Sequence, residues 1–190
     1  MRTAVLASGY GSLLESLLAH GVAVDLVVAD RECRALAVAA EGGVRACLIE
    51  RTSFGPTFDR GGYTARVVDV LQSSGVDLVV MAGFMTVLAP QMFEAFAGRV
   101  INSHPSLLPV FPGAHAVADA LGAGVTETGC TIHIATAVVD EGPTLAQEIV
   151  AVHPGDSVET VHERIKRVER VLLPRVVKQF QARLAEEMNR

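Results

Sequence analysis

The sequence predicts a Rossmann-like α/β fold, in which an open, mostly parallel and twisted sheet carries helices on both faces. Short apolar runs of strand length alternate with segments of helical period, which is the pattern of repeated βαβ units. The runs are continuous in Val, Leu and Ile, as in residues 77–82, which is typical of strands buried on both faces. After residue 102 two strand-like runs are joined only by a turn, so we expect antiparallel strands to be added in the C-terminal part.

The elements are predicted in the following order along the chain. Strands are predicted over residues 3–8, 24–28, 46–49, 77–81, 99–102, 131–134 and 146–150. Helices are predicted over residues 13–18, 33–40 and 63–71, with a short helix from near Pro90 and a long helix from about Ser157. Asp156 or Ser157 would cap this last helix, and Glu159 in its first turn suits the helix dipole. Residues 104–114 form a proline-rich loop of a length that compact domains usually retain for function.

Composition argues against several classes of protein. The 190 residues suit one domain, which we expect to act as a monomer or a homodimer, and the net charge of -5 argues against a nucleic-acid partner. No apolar run approaches the ~18 residues of a membrane span, and the N-terminus lacks a signal-peptide cleavage site. We therefore expect no membrane partner and a cytoplasmic location. Cys33, Cys47 and Cys130 are widely spaced, so buried thiols are expected rather than disulfides or a zinc site.

The first candidate site follows the first strand, at Ser8-Gly-Tyr-Gly-Ser12. A glycine-containing turn that runs into a helix presents free backbone N–H groups, which can hold a phosphate. The alternative is a tight strand-to-helix turn of the kind that any α/β protein contains, and we weigh the two equally. A third interpretation is a nucleotide-binding, dehydrogenase-like module in which Asp30 holds a ribose, although the third glycine of that motif is missing.

The second candidate site ends the fifth strand, at Asn102-Ser-His104-Pro105. Alternate strand residues point the same way, so the Asn102 amide and the His104 imidazole should share one face at the ligand-binding edge of the sheet. Pro105 disfavours helix at His104 and holds it extended. The remaining histidines that we interpret as structural are His20, His133, His153 and His162. The basic residues of 164–167 are interpreted as a solvated helix face.

Asp140 begins the turn-forming run Asp-Glu-Gly-Pro and has two interpretations. As an ordinary turn residue it would bond only nearby backbone. If its loop folds back across the crevice, it would instead pair with His104 and orient the imidazole.

Taken together, five motifs in order resemble the phosphoribosylglycinamide formyltransferase family over residues 3–175. These are Gly-Tyr-Gly-Ser at 9–12, Ala-Gly-Phe-Met at 82–85, Asn-Ser-His-Pro-Ser-Leu-Leu-Pro at 102–109, Phe-Pro-Gly-Ala-His at 111–115 and Asp-Glu-Gly-Pro at 140–143. The continuation at 111–115 is similar to the glycinamide branch and differs from that of the methionyl-tRNA formyltransferases. The family also has a cis peptide bond in the Leu-Leu-Pro segment, which we expect here between Leu108 and Pro109.

The resemblance implies transfer of a formyl group from 10-formyltetrahydrofolate to the amine of glycinamide ribonucleotide, without a metal. It assigns the catalytic roles to Asn102, His104 and Asp140, and an amide and a protonated imidazole are donors suited to a tetrahedral oxyanion. We see no serine or cysteine beside an evident base, so direct transfer is expected. The whole chain, 1–190, would be one formyltransferase domain, with a phosphate- and substrate-binding half over 1–100 and a catalytic and folate-binding half over 101–190.

The resemblance also implies the binding residues. Those expected on the substrate side are Gly11, Ser12, Leu13, Gly83, Met85, Pro105, His115 and Glu169. Those expected around the folate are Met85, Val87, Leu88, Thr136, Val139 and Asp140. Glu169 would meet the ribose hydroxyls, and a solvated helix residue is the equally weighted alternative.

Three residues depart from the family pattern. Leu13 stands where an asparagine usually helps to hold the phosphate, Thr86 where many members have arginine, and Val110 where a polar or basic residue is common. The folate donor is therefore predicted more firmly than the acceptor. The alternative is a folate-dependent formyltransferase that acts on another amine, such as a sugar amine or a precursor in specialised metabolism.

Overall fold

The computed structural model, which describes residues 1–188, contains the predicted open sheet with helices on both faces. The strands are β1 (Thr3–Ala7), β2 (Leu26–Ala29), β3 (Arg45–Leu48), β4 (Leu78–Met81), β5 (Val100–His104), β6 (Glu127–Ile134) and β7 (Thr144–Ala151). The helices are α1 (Ser12–Ala19), α2 (Arg34–Glu41), α3 (Arg60–Ser73), α4 (Pro90–Ala95), α5 (Ala116–Gly122) and α6 (Val158–Met188). All seven predicted strands are present.

The seven strands lie in the order β3-β2-β1-β4-β5-β6-β7. The first five are parallel, whereas β6 runs antiparallel to β5 and β7 antiparallel to β6, as predicted for the C-terminal part. The chain moves outward from β1 in one direction and then returns to place β4 on its other side. This reversal leaves a crevice at the carboxyl ends of β1 and β4, where ligands of open α/β sheets bind.

The strands at the centre of the sheet are buried on both faces because each face has its own hydrophobic core. Val5 packs into the core formed with α1, α2, α5 and α6, and the next residue, Leu6, packs into the core formed with α3 and α4. Both side chains are fully buried. This explains why the central strands consist of continuous apolar runs.

Helix α6 contacts α1 at a carbonyl group that has no hydrogen-bond donor within α6 itself. Pro174 lies inside α6 and has no N–H, so the carbonyl of Arg170, four residues earlier, lacks its helical donor. The Ser16 hydroxyl of α1 donates to that carbonyl instead. Further along both helices, Lys178 Nζ donates to the His20 carbonyl at 3.2 Å, so α1 and α6 run side by side in the same direction.

Some local predictions are confirmed and others are wrong. Ser157 caps α6, since its hydroxyl accepts from the Thr160 N–H at 3.3 Å. Helix α5 is not predicted by the sequence, because it is short, lacks a side-chain cap and contains little helical periodicity. Of the three free cysteines only Cys130 is buried, whereas Cys33 and Cys47 are partly exposed, because they lie at the start of α2 and on the edge strand β3.

Within residues 1–188, no helix combines the length and the apolar character that are needed to cross a membrane.

Candidate active site

A cavity of about 700 Å³ opens at the carboxyl ends of β1, β4 and β5, a volume in the range of small-molecule sites. It lies at the reversal in strand order described above. The predicted site residues that line it are Gly11, Ser12, Leu13, Gly83, Met85, Val87, Leu88, Asn102, His104, Pro105, Thr136, Val139, Asp140 and Glu169. One cavity therefore brings together both candidate sites and all of the expected binding residues except His115.

The glycine turn before α1 has the backbone that a phosphate cradle needs. Gly11 has φ 76°, and a Cβ at this position would lie 2.9 Å from the Ala35 Cα of α2, so both conformation and space require glycine. No side chain caps α1. The first-turn N–H groups of Ser12 and Leu13 therefore lie beside the cavity with the positive end of the helix dipole.

His104 is almost fully buried, with 6% of its side chain exposed, and both of its ring nitrogens face oxygen atoms. Its Nε2 lies 2.9 Å from the Phe111 carbonyl oxygen, and its Nδ1 lies 3.2 Å from Asp140 Oδ2. Phe111 has φ 55°, an uncommon conformation for a residue with a side chain, in the proline-rich loop that follows β5. The loop thus fixes the imidazole from one side and Asp140 fixes it from the other.

Asp140 joins the two loops that surround the cavity. Its Oδ2 accepts a hydrogen bond from the Gly113 N–H at 2.8 Å and faces His104. Burial acts to raise the pKa of Asp140, but the His133 imidazole, the Gly113 N–H and the His104 imidazole together bring that pKa below its usual value. The predicted pairing with His104 is therefore confirmed, and Asp140 bonds well beyond its own turn.

His133 is a site residue that the sequence interpretation missed. Its side chain is 1% exposed, and its Nε2 lies 3.1 Å from Asn102 Nδ2 and 3.6 Å from Asp140 Oδ1. It lies on β6 directly opposite Asn102 on β5. The sequence interpretation did not place His133 in the cavity, because this contact depends on the register of two antiparallel strands, for which the sequence of β6 alone carries no signal.

Glu169 of α6 is buried and lines the cavity, so its interpretation as a solvated helix residue is wrong. The Ser103 hydroxyl donates to Glu169 Oε1 at 2.6 Å. Burial raises the pKa of this carboxyl group above its ordinary value, although Ser103 and nearby basic residues oppose the shift. The other carboxylate oxygen can still accept from a ligand.

Further residues of α6 also line the cavity against expectation. His162 was interpreted as structural and the basic residues of 164–167 as a solvated face, yet His162, Lys166 and Arg170 all border the cavity. Burial lowers the pKa of His162, and the positive charge of Lys166 acts in the same direction. Because the three residues are four apart, their side chains lie on one face of α6. This spacing can be read from the sequence and could have predicted that they lie together.

Two residues do not take the places expected for them. His115 is exposed at the start of α5 and does not line the cavity, so its predicted contact with substrate is not supported. Asp30 is fully buried, accepts from the Thr86 hydroxyl at 2.7 Å and pairs with Arg31 at 3.1 Å. Because Asp30 is committed to these partners and lies outside the cavity lining, the dehydrogenase-like interpretation loses its ribose-binding carboxylate.

The loop after β5 has the backbone feature that the resemblance implies. The peptide bond between Leu108 and Pro109 is cis. The loop is held from β6 and β7, since the Leu108 N–H donates to Thr131 Oγ1 at 3.0 Å and Gln147 Nε2 donates to the Leu108 carbonyl at 2.7 Å. Across the part of the chain that the structure describes, no group of three or more His, Cys, Asp or Glu side chains is arranged to hold a metal ion.

Fold and cavity together define an α/β enzyme of the Rossmann-like type, with a partly buried amide beside a buried imidazole and carboxylate at the crevice. The chain belongs to the formyl transferase family, whose model matches residues 1–177. Formyl transferases of this family generally use a formyl folate as co-substrate.

Curated and solved relatives agree with this membership. The chain is 49% identical over 177 residues to phosphoribosylglycinamide formyltransferase of Mycobacterium tuberculosis (strain H37Rv), covering 90% of this chain and 81% of the relative. It is similar to the crystal structure of glycinamide ribonucleotide transformylase 1 from Symbiobacterium toebii, with a TM-score of 0.89, 38% identity and coverage of 95% and 87%. The corresponding values for phosphoribosylglycinamide formyltransferase from Streptococcus pneumoniae TIGR4 are 0.86, 36%, 94% and 98%.

Proposed function

We propose that this chain transfers the formyl group of 10-formyltetrahydrofolate to the amine of glycinamide ribonucleotide, a step of de novo purine biosynthesis. The observation that carries the proposal is the buried His104–Asp140 pair beside Asn102, in a cavity with an apolar side and a side lined by charged residues of α6. Family membership and the names of the relatives support the same reaction.

The first task of the site is to stabilise charge. The attacking amine builds a tetrahedral carbon on the formyl group, and the formyl oxygen becomes an oxyanion. We assign as donors to that oxygen the Asn102 amide and the His104 Nδ1–H, which the oxyanion would share with Asp140. Both side chains end β5 on the same face and border the cavity.

The second task is to move a proton. The amine must lose a proton as it attacks, and the departing folate nitrogen must gain one. We assign this transfer to His104 and Asp140, which are 3.2 Å apart, with Asp140 ionised because its pKa is lowered. Burial raises the pKa of the Cys130 thiol to about 12, so Cys130 is not an alternative nucleophile.

The apolar side of the cavity suits a folate ring. Met85, Val87 and Val139 are 59%, 49% and 48% exposed, which is high for large apolar side chains that surround one cavity. A planar aromatic ligand would cover them. Leu88 is already buried beneath this surface, and Thr136 completes the rim with its hydroxyl donating to the Val138 carbonyl at 3.0 Å.

The opposite side suits the phosphate of the acceptor. Leu13 offers only its backbone N–H, so a side-chain donor must come from elsewhere. Helices α1 and α6 run in the same direction, and Ser16 of α1 contacts Arg170 of α6. One helical turn towards the N-terminus of each helix, Ser12 therefore lies level with Lys166. We assign Lys166 and Arg170 to the phosphate, as cations that offset the missing asparagine.

The remaining binding residues are assigned to the space between these two ends. Gly83 and Pro105 border the reacting centre, and Glu169 is proposed to accept from the ribose hydroxyls through the oxygen that Ser103 leaves free. The chain is proposed to work as one formyltransferase domain over 1–190. Both functional halves contribute to the phosphate-binding end of the cavity, because α6 of the second half lies beside α1 of the first.

A titration discriminates this function from nucleotide binding. A 10-formyl folate analogue should bind saturably, whereas NAD should not compete with it. Saturable NAD binding with no response to the folate analogue would refute the proposal.

A further inference from the structure

The His133 ring has one hydrogen-bonding partner at each of its two nitrogens. Its Nδ1 lies 3.1 Å from the Ile134 carbonyl oxygen, which can only accept, so Nδ1 carries a proton. Its Nε2 lies 3.1 Å from Asn102 Nδ2, an amide nitrogen that can only donate. A neutral ring satisfies both contacts, with its lone pair on Nε2.

The strand register makes this contact a direct one. His133 and Asn102 are cross-strand partners on β6 and β5, and both side chains face the cavity side of the sheet. The pairing of β6 with β7 shifts register between Ile132 and His133, an irregularity of the kind that re-aims a side chain next to a functional site.

We propose that His133 is a positioning residue for formyl transfer, which accepts one N–H of Asn102 and thereby directs the second N–H of that amide into the cavity. A primary amide can rotate by half a turn and exchange its donor and acceptor ends. An acceptor fixed by the backbone removes this freedom, so Asn102 presents a donor before substrate arrives. The inference rests on the proposed function of Asn102 as a donor to the oxyanion.

The charged state of the ring matters for the same contact. Asp140 Oδ1 lies 3.6 Å from His133 Nε2, longer than the 3.1 Å contact of Nε2 with Asn102, and only a protonated His133 ring at this distance would lower the pKa of Asp140. Asp140 also faces His104 of β5. A protonated ring would donate to that carboxylate and would no longer accept from Asn102. The neutral ring is therefore the form that positions the amide.

Replacing His133 with Gln or with Asn tests the contacts of its two ring nitrogens separately. In His133→Gln the side-chain amide reaches the place of Nε2 and can hold Asn102, whereas in His133→Asn it reaches only the place of Nδ1 and the Ile134 carbonyl. Loss of one oxyanion donor typically lowers kcat by ~10²–10³. We expect His133→Asn to lose kcat by ~10² and His133→Gln by less than ~10-fold, each with KM for both substrates within ~3-fold.

The controls use an exposed histidine and a measurement without turnover. His153→Asn and His153→Gln, in the exposed loop before α6, should leave kcat unchanged. An equal kcat for His133→Asn and His133→Gln, or a loss in KM alone, would overturn the proposal. Nitrogen NMR of the wild-type protein should show a proton on Nδ1 and none on Nε2, and an Nε2–H tautomer would overturn it even if the acceptor amine were a different one.

Discussion

At the scale of single residues, His104 is constrained from two sides, by the Phe111 carbonyl and by Asp140. The side chain borders the cavity near the assigned reacting centre and is not one of the exposed apolar side chains assigned to folate. His104→Ala should therefore keep the affinity for a folate analogue and lose kcat by ~10²–10⁴, as general acid–base and donor roles predict. Single-turnover kinetics and equilibrium titration of the same variant measure the two quantities, with His153→Ala as the control. Unchanged turnover would remove His104 from the mechanism.

Asp140 gives a prediction about pH. Its folded-state pKa is lowered, so the ionised carboxylate contributes stability above its unfolded pKa of ~3.9, and this contribution is lost as pH falls through the folded value. Asp140→Asn should lower kcat and should unfold with a weaker pH dependence below ~4 than the wild type. Chemical denaturation at a series of pH values tests the second statement. Identical pH profiles of kcat for both proteins would show that Asp140 is an ordinary turn residue with no role in the reaction.

Residues of the site were predictable where local spacing decides their position. Asn102 and His104 are two apart on one strand, and this alone puts them on one face. Asp140 required the resemblance, because its loop reaches His104 only through tertiary folding. His133 and Glu169 depend on strand register and on helix packing, and neither quantity can be read from the residues nearby.

At the scale of elements, the contact between α1 and α6 depends on a missing N–H. Ser16→Ala should destabilise the protein by ~1–3 kcal/mol, because it leaves the Arg170 carbonyl without a donor. In a Pro174→Ala background the helix supplies that N–H itself, so the same Ser16→Ala change should cost less. Urea unfolding of the four proteins gives the coupling. Equal costs in both backgrounds would show that the Ser16 hydroxyl does not complete the helix.

The turn after Asp140 is tied to the end of β6. A Cβ on Gly142 would lie 1.7 Å from the Ile134 carbonyl oxygen, whereas a Cβ on Gly122 at the end of α5 would meet nothing within 4 Å. Gly142→Ala should therefore displace the turn and reduce both kcat and the unfolding temperature, and Gly122→Ala should be neutral or slightly stabilising. Assays of kcat and thermal unfolding compare the pair. Full activity of Gly142→Ala would mean that the turn does not position Asp140.

Elements were predictable where hydrophobic periodicity is strong. The parallel strands are continuous apolar runs because two cores cover the sheet. Helix α5 was missed because seven residues without a cap give too few positions for a period. The strands β6 and β7 extend beyond their predicted bounds, since their pairing with each other continues past the apolar positions.

At the scale of the whole molecule, the cavity is built from both ends of the chain, because the turn after β1 and helix α6 both border it. A ligand that binds only the folded chain stabilises it by ~2.7 kcal/mol at a hundred times its Kd. A folate analogue and glycinamide ribonucleotide should each raise the unfolding temperature, and their effects should combine because they occupy opposite ends. Calorimetry with each ligand and with both tests this, and mutual exclusion would contradict the assigned division of the cavity.

The fold class and the family could be read from the sequence because they rest on many residues in order. The acceptor side was predicted less firmly because Leu13 departs from the family, and the cations that we propose to offset it lie on a helix distant in sequence. That proposal depends on how α1 and α6 pack, which the sequence does not show.

The central claim is the identity of the reaction, and steady-state kinetics with 10-formyltetrahydrofolate as donor test it most directly. Glycinamide ribonucleotide should saturate the enzyme with kcat/KM of ~10⁴ M⁻¹s⁻¹ or more, far above sugar amines and other unrelated amines. A rate with glycinamide ribonucleotide no higher than the rate with those amines would contradict it.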